Sequence, residues 1–231
     1  MVGRSSSNSS SRNYPKSNLN ILDIGCGTGE TLSFLKKYLD QPDLSGVDSS
    51  PVAVAYSKKR GHHQIFRVDA EKLPFKDNTF DYVLLLDVLE HIKDDSIALI
   101  EAKRVLKNNG KIIITVPALQ FLWSEHDAQQ GHFRRYVRRG IKSLAKKSKM
   151  TIEKISYFNF FLSPAIIAVR LLSRIKLFSK LGDFDSNLNY DVANKNLVNK
   201  ILTSIFVGEI RLLKRINYPF GISIFSVMKK N

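Results

Sequence analysis

The chain has 231 residues, 43% hydrophobic and 25% charged, which suits one globular domain with a sizeable core. Its single cysteine, Cys26, excludes an intrachain disulfide and fits a reducing cytoplasm. The net charge of +15 is uneven: residues 1–129 carry 16 Lys/Arg against 16 Asp/Glu, residues 130–231 carry 20 against 5, so the second part either faces something anionic or is a solvated basic surface.

Residues 1–18 are rich in Ser and Asn and lack the apolar stretch of a secretory signal, so they read as a disordered tail. Leu19–Ile24 is a short apolar run with a buried-strand signature, and Thr28–Leu39 carries leucines at helical spacing. Leu44–Val47 is a second strand. Ser50-Pro51 then starts a helix with a capping serine and a proline at the first helical position, and Gly61 stops it. Gln64–Val68 and Phe80–Leu86 are strands three and four, the latter nearly all apolar, as a strand buried on both faces should be. A helix follows from about Asp94 to Lys107, ended by Asn108-Asn109-Gly110, and Lys111–Val116 is a fifth strand closed by Pro117. Arg138–Lys149 reads as a helix, Thr151–Tyr157 as a sixth strand, Phe158–Asn217 as a long basic helical stretch, and Phe220–Met228 as a last strand. No run of about 18 uncharged apolar residues occurs, so no ordinary transmembrane helix is expected.

Fivefold alternation of strand and helix predicts a doubly wound α/β fold with a parallel sheet, whose ligands sit at the carboxyl ends of the strands. The segments to search for chemistry are therefore Gly25–Gly29, Asp48, Asp69-Ala70, Asp87–His91 and Pro117–Tyr136. In the first, glycines at a strand-to-helix turn let backbone N–H groups approach a ligand. The spacing is Gly-x-Gly-x-Gly, and Glu30 stands where a dinucleotide fingerprint wants its third glycine. A carboxylate at Asp48 can accept both hydroxyls of a ribose, and Asp69 can accept from an adenine amino group. One such aspartate is as well explained by a cap or turn; three segments in succession are not.

The blocks Asp23–Glu30, Val47–Ser50, Val68–Phe75, Phe80–Val83, Val88–His91 and Val105–Gly110 resemble, in order, the signature blocks of class I methyltransferases. The resemblance spans about half the chain and implies a seven-stranded, mostly parallel, Rossmann-like sheet. Thr151–Tyr157 would be strand six and Phe220–Met228 an antiparallel strand seven. It implies S-adenosylmethionine as cofactor, held by Asp23, Gly25, Cys26, Gly27, Gly29, Asp48, Ser49, Asp69, Ala70, Asp87, Val88 and His91. The methyltransferase core is then 19–158 plus 217–231, with a helical insertion over 159–216.

Beside the implied cofactor mouth lies Trp123-Ser124-Glu125-His126-Asp127 … Gly131-His132-Phe133-Arg134-Arg135-Tyr136, a composition no loop needs for stability. His126 or His132 is the candidate base, with Asp127 beside them. Arg134 and Arg135 are candidates to grip a carboxylate or phosphate, and Trp123 or Tyr136 to lie near the methyl-bearing cation. A lid pinned by its own hydrogen bonds explains the same residues. Asp87-x-x-Glu90-His91 also resembles the motif of certain metal-using quinone O-methyltransferases, but its Leu-Glu-His part is widespread among metal-free relatives, Glu90 could simply begin the next helix, and no metal is expected. The apolar, basic stretches Phe160–Leu181 and Lys195–Arg215 suit a cap over the pocket or a peripheral contact with a membrane.

The expected activity is methylation of a small-molecule or lipid-like acceptor, of anionic character and on oxygen. The rivals are an RNA methyltransferase using the basic half and a non-catalytic binding module. Nucleic acid is disfavoured: Asp87-Val88-Leu89-Glu90 is not the Asn/Asp-Pro-Pro-aromatic turn of amino-methylating enzymes, and the only cysteine is in the glycine loop.

Overall fold

The computed structural model describes residues 18–172 and 196–231. In chain order the strands are β1 Asn20–Ile24, β2 Asp43–Asp48, β3 Ile65–Arg67, β4 Phe80–Leu86, β5 Leu106–Pro117, β6 Thr151–Phe158 and β7 Ser223–Lys229. The helices are α1 Glu30–Tyr38, α2 Pro51–Lys59, α3 Asp95–Val105, α4 Glu125–Gln129, α5 Arg138–Lys147, α6 Ser163–Leu172 and α7 Asn196–Leu213. All seven strands form one sheet of order β3-β2-β1-β4-β5-β7-β6. β1 to β5 pair in parallel, and β7 runs antiparallel between β5 and β6. The strand order reverses between β1 and β4, and ligand clefts of open α/β sheets form at that switch point. The core lies on both faces of the central strands, with Leu22, Ile24, Val83, Leu85, Ile112 and Ile114 fully buried. A second cluster, Cys26, Leu32, Val54 and Ile65, lies under the glycine turn.

Of the boundaries that differ from expectation, two do so for clear physical reasons. α1 begins at Glu30 rather than Thr28 because Gly27 (φ 52°) and Gly29 (φ 81°) are left-handed, which no α-helix tolerates. α3 ends at Val105, and Asn108-Asn109-Gly110 is not its stop. The chain turns extended at Leu106, which pairs with Phe80, and the Asn-Gly segment is an irregularity within β5, with Asn109 at φ 64°. The ammonium of Lys230 donates to the carbonyls of Lys103 and Leu106 at 2.9 and 2.6 Å, so a cation from beyond β7 caps this helix end.

α6 and α7 lie within 159–216, the span expected to be an insertion, while residues 1–17 of the expected tail and 173–195 of that span lie outside the described residues. α7 is tied to the sheet: Glu209, almost wholly buried, accepts from the N–H groups of Phe160 and Phe161 at 2.9 and 3.3 Å, just past β6. Among the described residues no helix is long and apolar enough to cross a membrane.

Candidate active site

The glycine turn is fastened from the β2 side. Gly25 and Cys26 both donate their N–H to the Val47 carbonyl, at 2.8 and 3.0 Å. Gly27 N–H donates to Asp48 Oδ2 at 2.9 Å, and Asp48 Oδ1 accepts from Ser50 N–H at 2.8 Å, so one carboxylate braces the turn and the entrance to α2. Ser50 Oγ caps α2 by accepting from Ala53 N–H, as its sequence predicts. His62, which no sequence signal marked, lies behind the turn with Nε2 3.0 Å from both the Gly29 carbonyl and Ser33 Oγ. Asp23 is 2% exposed beneath the turn, and its Oδ2 has no partner among the described residues. Burial, and then the charge of Asp48, push its carboxyl up to about 7. Burial first, with both aspartates adding, pushes the Cys26 thiol up to about 12, a closed and unreactive sulfur.

In front of the turn is a cleft of about 300 Å³. Of the residues the family resemblance assigns to cofactor, Gly25, Asp48, Ser49, Asp69, Ala70, Val88 and His91 line it. Asp23, Cys26, Gly27 and Gly29 are in the turn or its support rather than on the cleft wall, and Asp87 faces a second cleft. Gly25 has φ 70°, and a Cβ there would stand 2.5 Å from Val88 Cγ2. Gly25→Ala is therefore expected to lower stability by about 1–3 kcal/mol and abolish any cofactor-induced rise in melting temperature; an unaltered rise would show that the turn does not form the site.

The second cleft, about 390 Å³, is walled by Asp87, Glu90, His91, His126, Asp127, His132 and Arg135, with Leu122, Ile166 and Ile222 supplying apolar surface. Its organiser is Asp127, 0% exposed. Asp127 accepts from Arg135 Nε and Nη2, both at 2.9 Å, from Ser124 N–H at 2.9 Å and from His132 Nδ1 at 3.0 Å. Burial alone would raise its pKa; the bonds from Arg135, Ser124 and His132 outweigh burial and hold it below the usual range. A carboxylate on Nδ1 keeps the imidazole proton there and leaves Nε2 as an acceptor. The rings of His132 and His91 meet edge to face, 4.6 Å between centroids. Glu90 sits in a single 3-10 turn, Leu89–His91, rather than beginning the next helix. It is 1% exposed, and burial, with Asp87 adding, pushes it up to about 8. Burial and then His132 lower the pKa of His91.

The arginine pair is not arranged to grip a ligand anion, which corrects the sequence expectation. Arg135, its side chain 6% exposed, spends its guanidinium on Asp127 and the Ala118 carbonyl. Arg134 pairs with Asp95 at 3.1 Å and donates to the Lys93 carbonyl. Tyr136 is buried and donates its hydroxyl to Asp95 at 2.8 Å, so Arg134 and Tyr136 strut the loop against the start of α3. Neither they nor Trp123 line either cleft. The sequence reading did not single out Ile166 and Arg170, which bring α6 to the second cleft; Arg170 donates to the Leu122 carbonyl at 2.9 Å. Among the described residues, the one wall residue common to both clefts is His91.

Residues 22–114 match the family model described as a methyltransferase domain. The chain is 34% identical over 137 residues to an uncharacterized protein of Methanocaldococcus jannaschii, covering 58% of this chain and 50% of that one. It is also 34% identical over 95 residues to the demethylmenaquinone methyltransferase of Thermotoga maritima, covering 41% of this chain and 42% of that enzyme. The chain thus spans about half the length, or less, of these curated relatives. Phosphoethanolamine N-methyltransferase 2 of Haemonchus contortus, solved in complex with S-adenosyl-L-methionine, superposes with a TM-score of 0.61 over 94% of this chain and 50% of that one; at 21% identity this is a likeness of fold. The matched segment lies on β1 to β5 and carries the glycine turn and the acidic strand ends, so residues 22–114 are a methyltransferase domain, set in a sheet with the Rossmann-like fold of the class I, S-adenosylmethionine-dependent methyltransferases.

Proposed function

We propose that the chain methylates a small-molecule or lipid-like acceptor held in the second cleft, on an oxygen atom, using S-adenosylmethionine held in the first. The observation that carries this reading is the abutment of the two clefts at His91, since methyl transfer needs donor and nucleophile held in line across one short gap. Bound in the first cleft, S-adenosylmethionine supplies an electrophilic methyl group. The chain's own residues do the rest. Asp48 and Asp69 stand at the ends of adjacent strands to accept from ribose and adenine, and the turn at Gly25 lets the ligand close on the backbone. In the second cleft the atom on which activation of an acceptor hydroxyl rests is Nε2 of His132, because Asp127 holds the other nitrogen. His126 shares that wall, but its ring is not the one seated on the carboxylate. Leu122, Ile166 and Ile222 offer an apolar acceptor a dry side. Phe161, Leu171 and Leu172 in and before α6 and Ile201, Ile210 and Leu212 of α7 are exposed, which suits a peripheral meeting with a membrane that holds such an acceptor. The demethylmenaquinone methyltransferase among the relatives supports a small-molecule acceptor.

Thermal unfolding with S-adenosylmethionine and S-adenosylhomocysteine tests the cofactor half. A ligand at about 100 times its Kd stabilises by roughly 2.7 kcal/mol, a rise of about 5–10 °C for a chain of this size. Asp48→Ala is expected to remove most of that rise. No rise with either ligand on folded wild-type protein would overturn the reading.

A further inference from the structure

Three candidate ligand atoms converge on the second cleft: a carboxylate oxygen of Glu90 and one ring nitrogen each of His91 and His132, all within 4.8 Å of one another. Two independent features set this cluster apart from a chance meeting of polar side chains. Glu90 is 1% exposed, yet its Oε2 has no hydrogen-bond partner among the described residues, and a buried carboxylate oxygen left unsatisfied calls for an explanation. His132 is seated by its remote nitrogen on Asp127 at 3.0 Å, and Asp127 is itself fixed by Arg135 and Ser124. That is the support found behind metal-bound imidazoles: a carboxylate on the outer nitrogen sets the tautomer, aims the ring and raises its basicity.

We propose that Glu90, His91 and His132 bind one divalent first-row transition cation, with Asp127 as the positioning carboxylate of His132. Two imidazoles and one carboxylate suit such an ion better than magnesium or calcium, which prefer all-oxygen sets. Three protein ligands leave positions open toward the cleft, the arrangement of catalytic rather than structural sites. Ligands at about 2.0–2.2 Å from a shared ion stand roughly 3–3.6 Å apart, so binding draws the three side chains together by about an ångström. His91 is the exposed member of the three.

Ion binding stands on these residues alone; its use in catalysis rests on the methyltransferase reading above. There, the ion takes the acceptor's oxygen as a further ligand and lowers the pKa of its hydroxyl. The hydroxyl proton leaves to solvent, the oxygen's electron pair forms the new O–CH₃ bond, and the pair of the broken S–CH₃ bond returns to sulfur, leaving a neutral thioether. His132 then serves as a ligand, and activation no longer needs direct proton transfer to its ring.

The test uses the whole chain, dialysed against chelator and shown metal-free by elemental analysis. Zn²⁺ is titrated by calorimetry and Mn²⁺ by loss of its free-ion electron paramagnetic resonance signal. One saturable site is expected. His132→Ala and Glu90→Gln should each weaken it at least tenfold, Asp127→Asn by about 10–100-fold, and His126→Ala, on the same wall, should leave it as in wild type. No saturable binding by folded protein, or binding indifferent to both His132→Ala and Glu90→Gln, overturns the proposal. The S-adenosylmethionine melting shift is read on the same samples. A shift without ion binding overturns the metal site and leaves the methyltransferase reading, with His132 as the direct proton acceptor. Ion binding without a shift upholds the site and removes its catalytic use.

Discussion

Asp127→Ala is expected to lower the stability of the fold by about 3–5 kcal/mol, because it removes one partner of a buried ion pair and leaves the other charged. The guanidinium of Arg135, its side chain 6% exposed, has two of its donors on this carboxylate. Ser124 N–H and His132 Nδ1 would lose their acceptor in the same substitution. For a chain of this length each kcal/mol is about 2–4 °C in Tm, so a fall of about 6–20 °C is expected by calorimetry. His132→Ala should be much milder, since that ring is partly exposed and leaves no charge stranded. The two substitutions should converge in activity, each lowering turnover on a true acceptor by about 10²–10⁴-fold, the range of a lost acid–base group. Milder loss of stability than about 1 kcal/mol in Asp127→Ala would mean that the loop after β5 is held by something other than this pair.

The contrast between Ser50 and Arg135 shows how far the sequence could be read. Ser50 acts three residues away, on Ala53, and a cap followed by proline is a local pattern. β4 was legible over its whole length, Phe80–Leu86, because a strand buried on both faces declares itself by composition. That Asp48 and Asp69 would share a cleft wall was legible because the fold places strand ends together whatever the loops do. The end of α3 was not legible: Asn108-Asn109-Gly110 has the chemistry of a helix stop, but the cation that caps the helix comes from Lys230, more than 120 residues later. Arg134 and Arg135 looked like anion binders because their partners, Asp95 and Asp127, are known only from the fold. Glu90 and His132 are 42 positions apart, and their approach depends on how the loop after β5 folds back over the end of β4. His62 carries no local signal at all; only the packing of α2 behind the glycine turn shows what it holds.

The second large effect concerns Asp23 and runs against the usual behaviour of carboxylates. Its folded pKa is raised to about 7 from 3.8, by burial first and by Asp48 second. The folded state therefore binds this proton more tightly than the unfolded chain, and the stability so gained is fully present below about pH 4 and lost as the pH rises through about 7. Three pKa units correspond to about 4 kcal/mol across that window. Asp23→Asn, which cannot ionise, should flatten the dependence, and the difference between the two proteins in urea unfolding at pH 5 and pH 8 isolates this group from all others. Equal slopes would show that the carboxylate finds compensation in the folded state. The functional consequence follows from the same charge. At pH 8 the apoprotein holds two carboxylates close together at the glycine turn, one of them buried with no partner for Oδ2 among the described residues. A ligand bringing positive charge to the first cleft would relieve that repulsion and favour loss of the Asp23 proton. Stabilisation by S-adenosylmethionine should accordingly grow from pH 5.5 to pH 8 in wild type and stay level in Asp23→Asn. A neutral thioether ligand, S-adenosylhomocysteine, should show the weaker dependence of the two, since only its ammonium group remains to meet the pair.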